Sequence, residues 1–255
     1  MDTGPLRRAI IGVLSGEHAP MGRIIGYHGT PYTFDAEWGA PLGRFRSDRV
    51  GSGFGKQAYG HGLYNSTGFE VADTHRERTV AQTGVEWLNS TDPDRVARAA
   101  LYVFGKDADQ WLAQQVRNAK RPRRAIFTRA RDALATSEPL RGRVYEIDIP
   151  DGGYLDWSTQ LGKQDIAQRL SHLGPDTSMP GWALHDMLVS RTGGQKQAAE
   201  ALRKAGVRGI TYRSGSDDNF VNFNDDEISI RALRAALLAL LGGSALSAER
   251  SDNYA

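Results

Sequence analysis

The clearest alternation of apolar and polar positions lies at 143–149, where Val144, Tyr145, Ile147 and Ile149 interleave with Glu146 and Asp148. A period of two predicts a strand there. Shorter apolar runs predict strands at 24–29, at a segment carrying Tyr64, at 207–212, at 219–223 and at 228–230. The helical period dominates between 92 and 119. Asp92-Pro93 gives a start signal, and Val96, Ala99, Ala100, Val103 and Phe104 form one stripe. Gly105 breaks that stripe, and Trp111 and Leu112 resume it. Further helices are predicted at 5–14, 69–83, 125–135, 161–173, 181–190, 195–205 and 231–241, with Gly206 as a C-cap.

Strands at both ends of the chain and helices in its middle predict an α+β fold. Residues 1–232 read as one domain with a helical insertion at about 85–140, and 233–255 as a C-terminal helix with a disordered polar tail. The composition, 40% apolar and 24% charged, is that of an ordinary globular chain. There is no cysteine, which excludes a disulfide framework and a thiol nucleophile and agrees with the cytoplasmic location we expect. No window approaches the apolar length of a membrane span, and the first residues lack the pattern of a signal peptide, so neither membrane nor export is expected. The net charge is only +2, but seven Lys or Arg residues fall between 117 and 131 with no acid among them. A run of this kind is a solvated helix face or a surface for nucleic acid or another acidic partner.

Candidate chemistry concentrates in two glycine signals. Residues 24–31 deliver His28, Gly29 and Thr30 at the end of a strand. A glycine there lets a ligand reach the backbone without meeting a Cβ. Residues 51–64 hold Gly51, Gly53, Gly55, Gly60 and Gly62 and end at Tyr64, so this loop lies close against something before entering a strand. Neither signal is a phosphate-binding loop or a dinucleotide fingerprint. No metalloprotease helix, serine-nucleophile elbow or E-x-E pair occurs, and His61 lacks partners at ligand spacing, so no metal is assigned.

Taken in order, His28-Gly29-Thr30, Gly60-His61-Gly62-Leu63-Tyr64, Gly209-Ile210-Thr211-Tyr212 and Asn219-Phe220-Val221-Asn222-Phe223 resemble the signatures of ADP-ribosyltransferases of the diphtheria-toxin and poly-ADP-ribose-polymerase class. The likeness is nearest to the small transferase domains of phage and prophage proteins. It covers roughly 24–75 and 141–230. It implies a core of two small, facing antiparallel sheets forming a cleft for NAD as substrate. The activity implied is transfer of ADP-ribose to a macromolecular acceptor by a phage or toxin-like effector.

By that resemblance His28 holds ribose, Gly29 and Thr30 hold the nicotinamide amide, and Tyr64 and His75 flank the nicotinamide ring. Asn219, helped by Asp218, contacts the ribose near the reacting carbon. Two positions depart from the family pattern. His75 stands where the family carries a second tyrosine, and Asn219 where the polymerases carry a glutamate. Asparagine donates and accepts hydrogen bonds but is not a base, so single transfer without polymer growth is expected. Two other readings stand beside it: an NAD glycohydrolase, and a non-catalytic binding or structural module that keeps the fold.

Overall fold

A computed structural model describes residues 22–50 and 57–233. The expected helix at 5–14, the first part of the glycine run (51–56) and the chain beyond 233 lie outside the described residues. The chain divides into two compact units. The first comprises, among the described residues, 22–28, 34–50, 57–73 and 144–233; the second comprises Gly29–Thr33 and Thr74–Arg143.

The first unit is built on a mixed seven-stranded sheet. Its strands are β1 (Arg23–Thr30), β2 (Leu63–Ser66), β3 (Arg143–Pro150), β4 (Tyr154–Asp156), β5 (Gly209–Ser214), β6 (Asp217–Asn222) and β7 (Ser229–Leu233). They lie in the order β4-β5-β6-β2-β1-β3-β7. β4 runs parallel to β5, whereas β5–β6, β6–β2, β2–β1 and β3–β7 are antiparallel. The described strands thus form one continuous sheet where two separate facing sheets were expected. The junction is narrow. β2 pairs with β6 at four positions but with β1 only through Tyr27 and Ser66.

Alternation along β6 puts successive side chains on opposite faces. Val221 and Ile210 join a core with Leu155, Leu184, Leu188 and Leu202. Phe220 joins Phe45, Tyr145, Ile147, Ile149 and Ile228 on the other side. Helices α6 (Gly181–Thr192) and α7 (Gln195–Lys204) contribute to the first core, each burying a stripe that includes Leu184 and Leu188 or Ala198 and Leu202.

Three local expectations differ from the structure. The expected helix at 161–173 is broken into a four-residue α-helix, α5 (Ala167–Leu170), between 3-10 turns at Leu161–Lys163 and Ser171–Leu173. Gln164 explains the break. Its side chain accepts from the Asp156 N–H and donates to the carbonyls of Asp156 and Thr159, ties to β4 and the turn after it that hold it outside a helix. The short β4, not anticipated, is stitched to β5 by parallel pairing. The start of the helix expected at 231–241 is instead the end of β7, where Ala232 and Leu233 pair with Glu146 and Tyr145. Sheet pairing there overrides a helix-favouring Ala/Leu composition.

The second unit is helical and begins earlier than the expected insertion, at Thr74 rather than about 85. It holds most of α1 (Phe69–Trp87), then α2 (Pro93–Phe104), α3 (Ala108–Asn118) and α4 (Arg123–Ala133). Asp92 caps α2 by accepting the Asp94 N–H at 2.9 Å, and Gly105 ends it at φ +53°. Val96, Ala97, Ala100, Leu112, Phe127 and Ala130 form the buried core. Arg123 donates to the Leu88, Asn89 and Ser90 carbonyls, closing the C-terminal end of α1. No helix among the described residues is long and apolar enough to cross a membrane.

Candidate functional site

The four signature segments, far apart in sequence, occupy four consecutive strands: β5 with Tyr212, β6 with Asn219, β2 with Tyr64 and β1 with His28. The registers define one row across them. Tyr27 faces Ser66, Ser66 faces Asn219, and Asn219 faces Tyr212.

His28 and Tyr64 meet at the narrow β1–β2 junction. The His28 Nδ1 lies 2.8 Å from the Tyr64 carbonyl oxygen. A carbonyl only accepts, so Nδ1 is the donor in this contact. The imidazole packs edge-on against Phe45 at 4.9 Å, on the face of Phe220 and Ile147. The Tyr64 ring lies on the opposite face, packed against the core of Ile210 and Val221. Its hydroxyl donates to the Gly60 carbonyl at 2.8 Å and accepts the Tyr59 N–H at 3.1 Å. Burial pushes the Tyr64 phenol well above its ordinary value, so it stays neutral.

The two described glycines of the second signal, Gly60 and Gly62, serve the fold. Gly60 sits at φ +107°, and a Cβ there would come within 3.0 Å of His185 Nε2. A Cβ on Gly62 would lie 2.6 Å from the Asn222 carbonyl oxygen and 2.7 Å from Val221. What these two glycines lie close against is His185 and β6. Tyr59 and Tyr212, from two different signatures, stack with ring centroids 3.6 Å apart, and Trp157 meets Tyr59 edge-on at 5.2 Å. Burial, with Tyr59 beside it, pushes the Tyr212 phenol up to about 12. Tyr59 and Tyr212 were visible in the motifs. Nothing in the sequence marked Trp157 or His185 as their neighbours.

Asn219 is buried, and its Nδ2 donates to the Asp217 carbonyl at 3.2 Å. Asp218 does not stand beside it. Consecutive strand residues face opposite ways, and Asp218 pairs with Arg213 across the strands at 3.0 Å, in an exposed position. The carboxylate on Asn219's own face is that of Asp217, which packs over Gly68 at the start of α1. A second asparagine of the same signature, Asn222, is structural. It accepts from Asn65 at 3.0 Å and donates to the Tyr154 hydroxyl at 2.7 Å.

The remaining expected residues belong to the second unit. Gly29 and Thr30 close β1 and are buried, and the Thr30 Oγ1 accepts the Tyr32 N–H at 3.3 Å. His75 sits in the second turn of α1 and is exposed as a residue. Desolvation of its ring, and Arg78 after it, nonetheless push its pKa below the ordinary value, which favours the neutral form.

A surface hollow of about 560 Å³ lies elsewhere, along Thr192, Lys196, Glu200 and Lys204, and touches none of these residues. Among the described residues no group of three or more His, Asp or Glu is placed to hold a metal ion. Comparison with protein-family models, with characterised proteins and with solved structures gives no match.

Proposed function

We propose that the chain is a mono-ADP-ribosyltransferase that takes ADP-ribose from NAD and delivers it to a macromolecular acceptor, as a phage or toxin-like effector would. In the reaction the glycosidic C–N bond breaks and nicotinamide leaves with its electron pair. The ribose carbon, carrying positive charge, takes the acceptor nucleophile, which gives up a proton to solvent or to the acceptor's surroundings.

One observation carries the reading. The strands bearing the resembling signatures are neighbours in the sheet, in the order β5-β6-β2-β1. The His28–Tyr64 contact supports it, because it fixes the His28 imidazole at the junction of two of these strands. The roles carried over from the resemblance are binding of the nicotinamide-ribose half of NAD by His28 and Tyr64 and a hydrogen bond from Asn219 to ribose; the His28 ring stands on the sheet face opposite the Tyr64 ring and Asn219, a separation such binding has to bridge. Asparagine cannot take the acceptor's proton, which fits transfer of a single unit.

Three observations favour the non-catalytic reading: the His28 and Tyr64 rings lie on opposite faces of the sheet, and two candidate polar groups are already engaged. Asn219 already spends its amide on Asp217, and Asp218 is engaged by Arg213 on the opposite face. Release of nicotinamide from NAD, followed with and without host-cell extract, separates the readings. Release that requires extract, together with single ADP-ribose adducts seen by mass spectrometry, supports transfer. Equal release without extract points to a glycohydrolase. No NAD binding by calorimetry points to a module without chemistry.

A further inference from the structure

We propose that the corner joining α3 to α4 in the second unit docks the sugar-phosphate backbone of a nucleic acid. This goes beyond the NAD reading and would survive its failure.

Charge is segregated along the chain. Gly29–Thr33 and Thr74–Arg143 carry fourteen Lys and Arg against eight Asp and Glu, a net +6, so the rest of the chain stands at −4 within the total of +2. The excess is local. From Gln110 to Arg131 there are seven Lys and Arg and no acid.

The structure shows which of these cations the fold consumes. Arg123 is spent on the carbonyls that end α1, and Arg131 on Asp109, at 2.6 and 3.0 Å. Arg117, in the last turn of α3, Lys120 and Arg121, in the connection, and Arg124, in the first turn of α4, are all exposed. None of the four has an ion-pair partner among the described residues. The Arg124 Nε donates to the Ala119 carbonyl at 2.9 Å, which holds its guanidinium at the corner. Gln114, Asn118 and Thr128 flank them with neutral hydrogen-bonding groups.

The chemistry of this face selects among acidic partners. Leu112, Phe127 and Ala130 point into the core, and neither helix has an exposed large hydrophobic residue. A membrane-surface helix needs an exposed apolar face, and a protein interface needs apolar or aromatic anchors at its centre. This corner has neither. Three guanidinium groups and an ammonium group suit closely spaced phosphates, because the planar fork matches phosphate oxygens.

Fluorescence anisotropy of the full chain tests this, with a labelled 24-base-pair DNA duplex and a single-stranded RNA of equal length. We expect binding at 50 mM salt that weakens with log-log slope of about −0.9 per phosphate on the duplex and about −0.7 on the single strand. The tighter ligand identifies the form recognised. The quadruple variant R117Q/K120Q/R121Q/R124Q should lose at least about tenfold in affinity and flatten the slope by about three phosphates' worth. The single variant R121E should lose part of both, and K163Q, in the first unit, should change neither. Circular dichroism melts matching the parent establish that the variants fold. Absence of binding at 50 mM salt overturns the proposal, as does an unchanged slope in folded R121E. Polyglutamate binding as tightly as either nucleic acid also overturns it, in favour of an acidic protein partner.

Discussion

The His28 imidazole donates to the Tyr64 carbonyl oxygen at 2.8 Å, joining two strands by a side chain next to their single registered pair. The contact links residues 36 apart and has two separable consequences. Nδ1 serves the fold, and Nε2 is the nitrogen that the proposed function assigns to a ribose hydroxyl. The amide of His28→Asn can reproduce the first role but not the second. We expect H28N to stay within about 1 kcal/mol of the parent in urea unfolding, whereas H28A strands a carbonyl and costs about 1–2 kcal/mol. Nicotinamide release should fall on the order of 100-fold in both. An H28N protein that turns NAD over at the parent rate would remove His28 from the proposed site.

The signature glycines make a different prediction, about packing. Gly62→Ala would drive a Cβ to 2.6 Å from the Asn222 carbonyl oxygen, and backbone cannot rotate away as a side chain can. The cost should be about 1–3 kcal/mol, read as a lower urea midpoint with unchanged slope. Gly152→Ala is the matched control. Nothing lies within 4 Å of its Cβ position and its φ is ordinary, so it should be neutral within about 0.5 kcal/mol. Equal stability of the two variants would show that β2 does not lie against β6 as described.

Much of this was legible in the sequence, and the failures have physical causes. The alternation of Tyr145, Ile147 and Ile149 with Glu146 and Asp148 located β3. Asp92, Pro93 and Gly105 located α2, because caps act through local backbone geometry. The segment 231–233 misled because its partner, β3, is some eighty residues away, and composition carries no record of long-range pairing. At the site, the order of the signatures brought His28, Tyr64, Tyr212 and Asn219 to adjacent strands. Which of Asp217 and Asp218 shares the face of Asn219 was not legible, because only the β6 register decides it. Trp157 and His185 were invisible, since their neighbours are set only by tertiary packing.

Arg123 carries a prediction for the second unit. One guanidinium serves the Leu88, Asn89 and Ser90 carbonyls, and it also lies 4.6 Å over the Phe127 ring. Its loss leaves the end of α1 with orphaned acceptors. Arg123→Met should destabilise by about 2 kcal/mol, since hydrogen bonds to charged donors exceed neutral ones. Arg123→Lys should recover only part of that, because an ammonium lacks the planar fork. Amide exchange localises the effect. Protection should drop around 85–90 while β3 and β6 keep theirs. A full rescue by lysine would mean that charge alone, and not geometry, holds this helix end.

The last prediction concerns acid. His185 is almost wholly buried, Asp186 is its charged neighbour at 3.4 Å among the described residues, and its Nε2 faces Gly60 without a hydrogen-bond partner among them. The Trp157 ring lies 5.5 Å from the His185 ring. Burial lowers its pKa below the ordinary value of about 6.5, and Asp186 opposes this only in part. The unfolded chain therefore binds a proton at a pH where the folded one does not, and stability must rise with pH across that interval. Above about 6.5 both states are neutral and the residue is silent. Below it the penalty grows by up to about 1.4 kcal/mol per pH unit, until the folded ring protonates as well. His61 and His75, also pushed down by burial, act in the same direction. Urea unfolding from pH 7 to pH 5 should thus show steadily falling stability. In His185→Leu the slope should shrink by about one proton, whatever the variant's stability at pH 7. An unchanged slope would mean that His185 is protonated in the folded chain, with a cation accommodated against the glycine turn that carries the Tyr64 hydroxyl.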